Sequence, residues 1–328
     1  MRRALRRSCL VLLVCLGASP APAAGQDGIT LTTSTWIDAL DGWVAFNRNV
    51  GDNVKPVAWR NGRERVLPAA GAGKARNFDL GTDANGRTVM AYERCSDELA
   101  GVYTRCHIRV IDLAANTDRA AGIRRPRGAS DHSPSMWRGR IAFARTPRGE
   151  GHDRVLLWSP TTGRTTALPR GPVGSCPPDC GSLRSARAYD LDLGPSLVAY
   201  VWDANFTSEV WVHRLPGGRP IRLSDNPIGA RDGCRGTIEF NPTVQGSVVW
   251  WGTYGQFCDG GRIPAYVIRV SLAERSMRAT TFAGPIGGFA RDGARSYAVV
   301  GSIFDSLSGP ICAPETPCTV RRVDSPRP

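Results

Sequence analysis

One phrase occurs twice in this sequence. It reads KARNFDLGTDANGRTVMAYE over Lys74–Glu93 and SARAYDLDLGPSLVAYVW over Ser185–Trp202. Both copies run Ala-Arg, one further residue, an aromatic, Asp-Leu, a glycine turn and an apolar segment ending Ala-Tyr. The apolar core of the phrase returns along the chain as Val44–Phe46, Met90–Tyr92, Ile141–Phe143 and Val198–Tyr200, with weaker copies at Val248–Trp250 and Tyr297–Val299. The copies lie roughly 46 to 57 residues apart, a period that signals a propeller or a solenoid. Helical solenoids are excluded, because the segments are β-branched and aromatic and are punctuated by Gly and Pro every few residues.

Each unit then reads as four strands. An inner strand comes first (FDLG, SPSMW, YDLDL, FNPTV), followed by the apolar second strand, continuous because both its faces are buried. A third strand follows (VAWR, HIRVIDL, RVLLW, EVWVHRL, YVIRV). A tight turn through Asn61-Gly62, Thr161–Gly163 or Pro216–Gly218 leads to a polar fourth. Four antiparallel strands per unit make a propeller blade, so the fold class is all-β, a six-bladed β-propeller spanning residues 28–323. The sixth unit stops after its third strand, CTVRRVD. A spare strand, Gly28–Thr33, stands ahead of the first unit and is expected to complete the last blade, leaving no unpaired edge.

The segment HSPSMWRGRIAFAR (His132–Arg145) resembles the repeat of TolB-type six-bladed propellers, with Ser-Pro ending an inner strand and a glycine before Ile-Ala-Phe. Arg138 replaces the family's usual Asp before that glycine. The hairpin EVWVHRLPGGRPIRLS (Glu209–Ser224) is similar to the family's third-strand hairpin. The resemblance implies a ring of blades and a protein-interaction role in an exported or periplasmic protein. It carries no catalytic residue over to this chain.

The N-terminus reads as a secretory signal: a basic start with Arg2, Arg3, Arg6 and Arg7, the short apolar run CLVLLVCLG, and small residues allowing cleavage near residue 24. A secreted or periplasmic cell-envelope location is therefore expected, with residues 324–328 as a tail. No later segment is apolar enough to span a membrane. Of ten cysteines, Cys9 and Cys15 fall in the leader, and an even eight remain, which favours disulfides over metal thiolates. Proximity suggests Cys95–Cys106, Cys176–Cys180, Cys234–Cys258 and Cys312–Cys318. The formal charge of +13 comes almost entirely from scattered arginines. Nucleic-acid binding would want a basic stripe with exposed aromatics, which is not seen.

The blade register puts the long connections (94–106, 169–187, 253–264 and 302–318) on one face and short turns on the other. The cysteines fall in or near the long segments. That face also receives the starts of the inner strands, where Asp38, Asp79, His132, Asp190 and Asn241 recur, with Arg76 and Arg187 three residues before two of the aspartates. One polar ring at the channel mouth is the expected binding site, and bonding to neighbouring blades is the alternative role for the same residues. Catalytic motifs are thin: there is no Gly-x-Ser-x-Gly, His-Glu-x-x-His or phosphate loop, and neither cofactor nor metal is expected. His132 is the one acid/base candidate. The expected function is that of a non-enzymatic, monomeric module binding a protein or an anionic envelope polymer. The alternative is a propeller hydrolase or lyase acting on a glycan or lactone at the channel mouth. Carboxylates converging in the channel would favour the enzyme, and an exposed aromatic patch the binder.

Overall fold

A computed structural model describes residues 29–32, 35–50, 53–69, 74–99, 102–150, 152–169, 186–204, 207–224, 235–257, 265–281, 286–301, 304–305, 309–310 and 312–323. The expected leader and tail, and Cys176, Cys180, Cys234 and Cys258, lie outside these residues.

Six four-stranded antiparallel sheets form the blades of a propeller. Blade 1 is Ile37–Leu40, Trp43–Val50, Asn53–Arg60 and Arg63–Val66; blade 2 is Lys74–Thr82, Thr88–Cys95, His107–Asp112 and Thr117–Ala120. Blade 3 is Ser130–Trp137, Arg140–Thr146, Arg154–Trp158 and Thr165–Ala167; blade 4 is Ala186–Leu193, Leu197–Ala204, Thr207–Arg214 and Pro220–Arg222. Blade 5 is Arg235–Gln245, Val248–Phe257, Tyr266–Ser271 and Ser276–Thr281. Blade 6 has Ile286–Asp292, Arg295–Val300 and Cys318–Val323, and its outer strand is Ile29–Leu31 from the N-terminus. The spare strand pairs Ile29 with Val320 and Leu31 with Cys318, closing the ring as expected. A second clasp joins the same two ends: the Asp292 carboxylate of blade 6 accepts the backbone N–H groups of Asp41 and Gly42 in blade 1, at 3.0 and 2.8 Å.

The second strands carry the core. Phe46, Tyr92, Phe143 and Tyr200 are fully buried at equivalent places, each preceded by a buried alanine. The fifth copy sits one residue later than its triplet in the sequence suggests. Trp250 pairs with Thr243, as Ala142 pairs with Ser135, so the equivalent triplet is Val249–Trp251. In the first copy of the repeated phrase Gly81 lies in the inner strand and not in a turn, whereas its counterpart Gly194 closes the hairpin with Leu197. A Cβ on Gly81 would lie 1.8 Å from the carbonyl oxygen of Met136 in the next blade. Gly81 therefore serves close blade-to-blade approach.

Five of the inner strands contain a β-bulge, with register shifts at 75/78, 132/135, 189/192, 240/243 and 286/289. At three of these bulges Ser133, Asp190 and Asn241 adopt φ of 47°, 49° and 47°. This left-handed conformation is several-fold enriched in Asn and Asp. A bulge inserts one unpaired residue and re-aims the side chains beside it, which sets the geometry of both polar sites below.

Candidate functional site

The residues expected in one ring occupy two adjoining places. Asp38, Asp79, Asp190 and Asn241 line a narrow axial channel with a cavity volume of about 40 Å³. His132 and Arg187 line a separate cleft of about 520 Å³ between blades 2, 3 and 4, which shares only Asn77 and Ser133 with the channel. The single ring is thus corrected to two sites. The cause is the bulge: His132 lies on one side of it and Ser135 on the other. Arg76 lies in the inner strand of blade 2, and its side chain is outside the described residues.

In the channel, the register also changes which aspartate of blade 4 matches Asp79. Asp79 pairs with Ala91 and Asp192 with Ala199, so Asp192 is the equivalent residue, and Asp190 sits at the bulge beside Ser133 and Asn241. These positions form a relay of latches around the axis. Asp38 accepts the N–H of Leu80, Asp79 that of Met136, Ser135 Oγ that of Leu193, and Asp192 that of Val244, each from the next blade. One layer away, Asp190 accepts Asn241 N–H at 3.2 Å and Asn241 Oδ1 accepts Phe289 N–H at 3.4 Å. The role of holding neighbouring blades is therefore visible at Asp38, Asp79, Asp190 and Asn241.

Three carboxylates nevertheless meet here. Ser135 Oγ lies 2.9 Å from Asp79 Oδ2 and 3.3 Å from Asp192 Oδ1. A hydroxyl has one proton to donate, so only one carboxylate can be its acceptor. Both contacts are hydrogen bonds only if one of the two carboxylates carries a proton. Electrostatics agree: burial, with the Asp38 charge adding, lifts Asp192 to about 7. Burial raises Asp38, and burial with the Asp38 and Asp192 charges raises Asp79 well above the carboxylate range. Burial, reinforced by Glu93, brings Asp190 to about 6. Burial thus pushes all four channel carboxyls toward their protonated forms.

The cleft is built differently. His132 Nε2 lies 3.2 Å from both Asp153 Oδ2 and Thr146 Oγ1, and its Nδ1 lies 3.4 Å from Ser133 Oγ. Asp153 in turn accepts Thr146 O–H at 2.6 Å and Ala188 N–H at 3.0 Å. Glu93 accepts Ser133 N–H at 2.8 Å. Burial works against a charged His132, but Asp153 and then Glu93 outweigh it and raise its pKa. Burial also opposes the Asp153 charge, yet His132 and the hydrogen bonds hold that carboxyl low. Glu93 is raised by burial in spite of His132. Around this floor stand Arg105, Arg148 and Arg187, one from each of blades 2, 3 and 4, all exposed. Arg105 directly precedes Cys106, which is tied to Cys95 by a disulfide as expected, and Cys312–Cys318 also forms. Cys106 is pinned further by Ser130 Oγ on its N–H and by Asp131 N–H on its carbonyl, at 3.1 and 3.0 Å.

Sequence reasoning missed Ser135, Asp192, Glu93, Asp153, Arg105 and Arg148. Asp192 was legible in the shared Asp-Leu-Gly of the two phrases. The others leave no spacing signal, because they converge from different blades. Among the described residues no cluster of His, Cys, Asp or Glu could hold a metal ion, and no helix is long and apolar enough to cross a membrane.

No family model and no curated protein matches this sequence. Solved structures do. The chain is similar to TolB from Acinetobacter baumannii at 9% identity and a TM-score of 0.46, over 87% of this chain and 62% of that one. It is similar to a TolB candidate from Agrobacterium tumefaciens at 11% identity and a TM-score of 0.50, over 89% and 90% of the two chains. An oligogalacturonate lyase from Vibrio parahaemolyticus matches at 9% identity and a TM-score of 0.51, over 84% and 72%. At such identities the likeness is one of fold, and the fold is the six-bladed propeller of the TolB type.

Proposed function

We propose that this chain is an exported, non-enzymatic binding module of the cell envelope, and that it recognises its partner at the arginine-rimmed cleft on the long-loop face. Export rests on the leader-like N-terminus and agrees with the two disulfides. The observation that carries the binding reading is how the reactive atoms are spent. Both ring nitrogens of His132 lie within 3.4 Å of internal side chains, and its carboxylate partner is 1% exposed. A general acid or base must reach a substrate proton. This imidazole is turned to its own scaffold, where it holds the cleft floor.

Two features bear on the alternative, a hydrolase or lyase of a glycan or lactone. Acidic residues converge in the channel, and one similar fold belongs to an oligogalacturonate lyase. Yet the channel carboxylates accept backbone N–H groups of the next blade, and about 40 Å³ admits water but no sugar. The test is to incubate the mature protein with a panel of acidic and neutral polysaccharides, following retention by affinity electrophoresis and new reducing or unsaturated ends together. Retention without new ends is expected. Turnover that His132→Ala abolishes would replace the binding reading with the enzymatic one.

A further inference from the structure

We propose that the short-turn face of blades 3 and 4, opposite the cleft, seats on an anionic lipid surface. Inner strands start at the cleft face, so the turns after first and third strands lie on the opposite one. They are residues 138–139 and 159–164 in blade 3, and 194–196 and 215–219 in blade 4. With the strand residues beside them they carry Arg138, Arg140, Arg164, Arg214 and Arg219, and no aspartate or glutamate. All of these but Arg140 are exposed. The rest of the face is mixed. Blade 1 brings Asp41 as well as Arg60 and Arg63, and in blade 2 Asp83 and Asp112 hold Arg87 at 2.7 and 3.0 Å. Glu274 precedes Arg275 in blade 5, and Asp292 pairs with Arg295 across the inner hairpin of blade 6. Blades 3 and 4 therefore form one uninterrupted cationic sector.

The sector is a plate, pinned turn by turn. Thr82 of blade 2 accepts Arg138 N–H on its Oγ1 at 3.0 Å and Gly139 N–H on its carbonyl at 2.9 Å. Arg140 donates to the Pro195 carbonyl at 3.2 Å and so bridges blades 3 and 4. In blade 4 the Ser196 carbonyl accepts Leu215 N–H and the Arg214 carbonyl accepts Gly218 N–H, both at 2.8 Å. In blade 3 the Ser159 carbonyl accepts Gly163 N–H at 2.9 Å. Short, pinned turns give a level surface. Arg138 and Arg140 flank the partly buried Trp137 at 5.0 and 4.9 Å from its ring, a cation–π contact that steadies both guanidinium groups there.

A level, acid-free arginine sector fits a bilayer better than other polyanions. Lipid phosphates are single charges spread over a plane, and guanidinium forks pair with phosphate oxygens. Basic groups near such a surface add roughly equal increments, which fade within a Debye length of about 8 Å. Single-stranded nucleic acid would want open aromatic faces for its bases, whereas Trp137 is already flanked by two guanidinium groups. A protein partner would want an apolar anchor at the centre. Of the exposed large hydrophobic residues among those described, only Ile221 belongs to these blades, and it lies on the outer strand of blade 4, not in a turn. Seated this way, the ring turns its cleft away from the lipid, so both surfaces can be occupied together.

The experiment is flotation of the mature protein with vesicles of pure phosphatidylcholine and of equal parts phosphatidylcholine and phosphatidylglycerol, in low and in high salt. Retention on the anionic vesicles alone, released by high salt, is expected, and this comparison needs no variant. Each arginine removed should cost roughly fivefold in partitioning, so Arg214→Gln combined with Arg219→Gln should lose about twenty-fivefold. Arg124→Gln combined with Arg127→Gln changes the net charge equally, but on the connection into blade 3 at the cleft face. It should change partitioning by no more than about twofold, being beyond the Debye length from the lipid. Melting curves report whether each variant keeps the ring. Equal retention on both vesicles, no retention on either, an equal loss in the two folded double variants, or stronger retention by duplex DNA or heparin than by the anionic vesicles would each overturn the proposal.

Discussion

The axial channel and the cleft beside it are made from the same inner strands and share two residues, yet they spend polarity in opposite ways. In the channel, carboxylates are buried and face one another, and backbone donors from the next blade occupy them. In the cleft, the buried acid is neutralised by an imidazole and the exposed rim carries Arg105, Arg148 and Arg187. The difference teaches that a polar residue at a propeller axis is not evidence of a ligand. Volume and hydrogen-bond saturation decide. A 40 Å³ channel with latched carboxylates holds blades together, whereas a 520 Å³ cleft has the room that a partner's group would need.

Both regions depend on the closed ring, so breaking closure should remove the contrast altogether. Deleting Ile29–Leu31 exposes the edge strand Cys318–Val323 and removes two nearly fully buried side chains. Aggregation or a melting temperature lower by ten degrees or more is expected, read by scanning calorimetry. An unchanged melting temperature would mean that the N-terminal strand is not what closes the blade.

The next largest effect should combine a loss of stability with a change at the cleft. Replacing Cys95 and Cys106 together by Ser removes a short-range cross-link worth about 3 kcal/mol in the chain-entropy model. Denaturant titration should report that loss, and polymer affinity should fall because the segment at Cys106, which lines the cleft, loses its cross-link. Affinity equal to wild type at full folding would separate the disulfide from the site.

The channel should respond to pH in the opposite sense from ordinary paired carboxylates. Asp190 and Asp192 have folded pKa values of about 6 and about 7, above the usual carboxylate value of 3.8. Their folded form therefore binds more protons than the unfolded chain in between. Their contribution is complete below the unfolded value and is lost as pH rises through 6 to 7, so stability should increase on acidification from pH 8 toward pH 5. His132, also raised, adds in the same direction; His107 and His213, lowered by burial, oppose it as pH falls below the usual histidine value, and Asp153, held low, opposes it only below the usual carboxylate range. Asp79→Asn keeps an acceptor for Ser135 and Met136 while removing one of three like charges. It should raise stability at pH 8 by roughly 1 kcal/mol or more, ~2 °C, and flatten the profile. A destabilised variant with an unchanged profile would break the shared-proton account. Polymer binding should not move, which sharpens the distinction between the regions.

The smallest expected signal is chemical. Thiol titration of the unfolded, unreduced mature protein should read near zero. Two or more free thiols would show that Cys176, Cys180, Cys234 and Cys258, outside the described residues, do not complete the pairing.

The sequence by itself determined the ring. Apolar triplets recurring at near-constant spacing, turns at Asn61-Gly62 and Pro216–Gly218, and one missing strand balanced by one spare are local and repeated. Each copy reinforces the others, so a single misplaced triplet such as Val248–Trp250 costs nothing in the count of blades. Tertiary structure alone decided the sites. Spacing could not say that a bulge at 189/192 would give Asp192, and not Asp190, the place of Asp79, or that a bulge at 132/135 would put His132 outside the channel. Nor could it bring Glu93, His132, Asp153 and Arg148 to one cleft, because those contacts run between blades and strands. The physical reason is one of range: strand pattern is written in neighbouring residues, while a bulge's register and a cleft's charge balance are settled only when separate blades pack together.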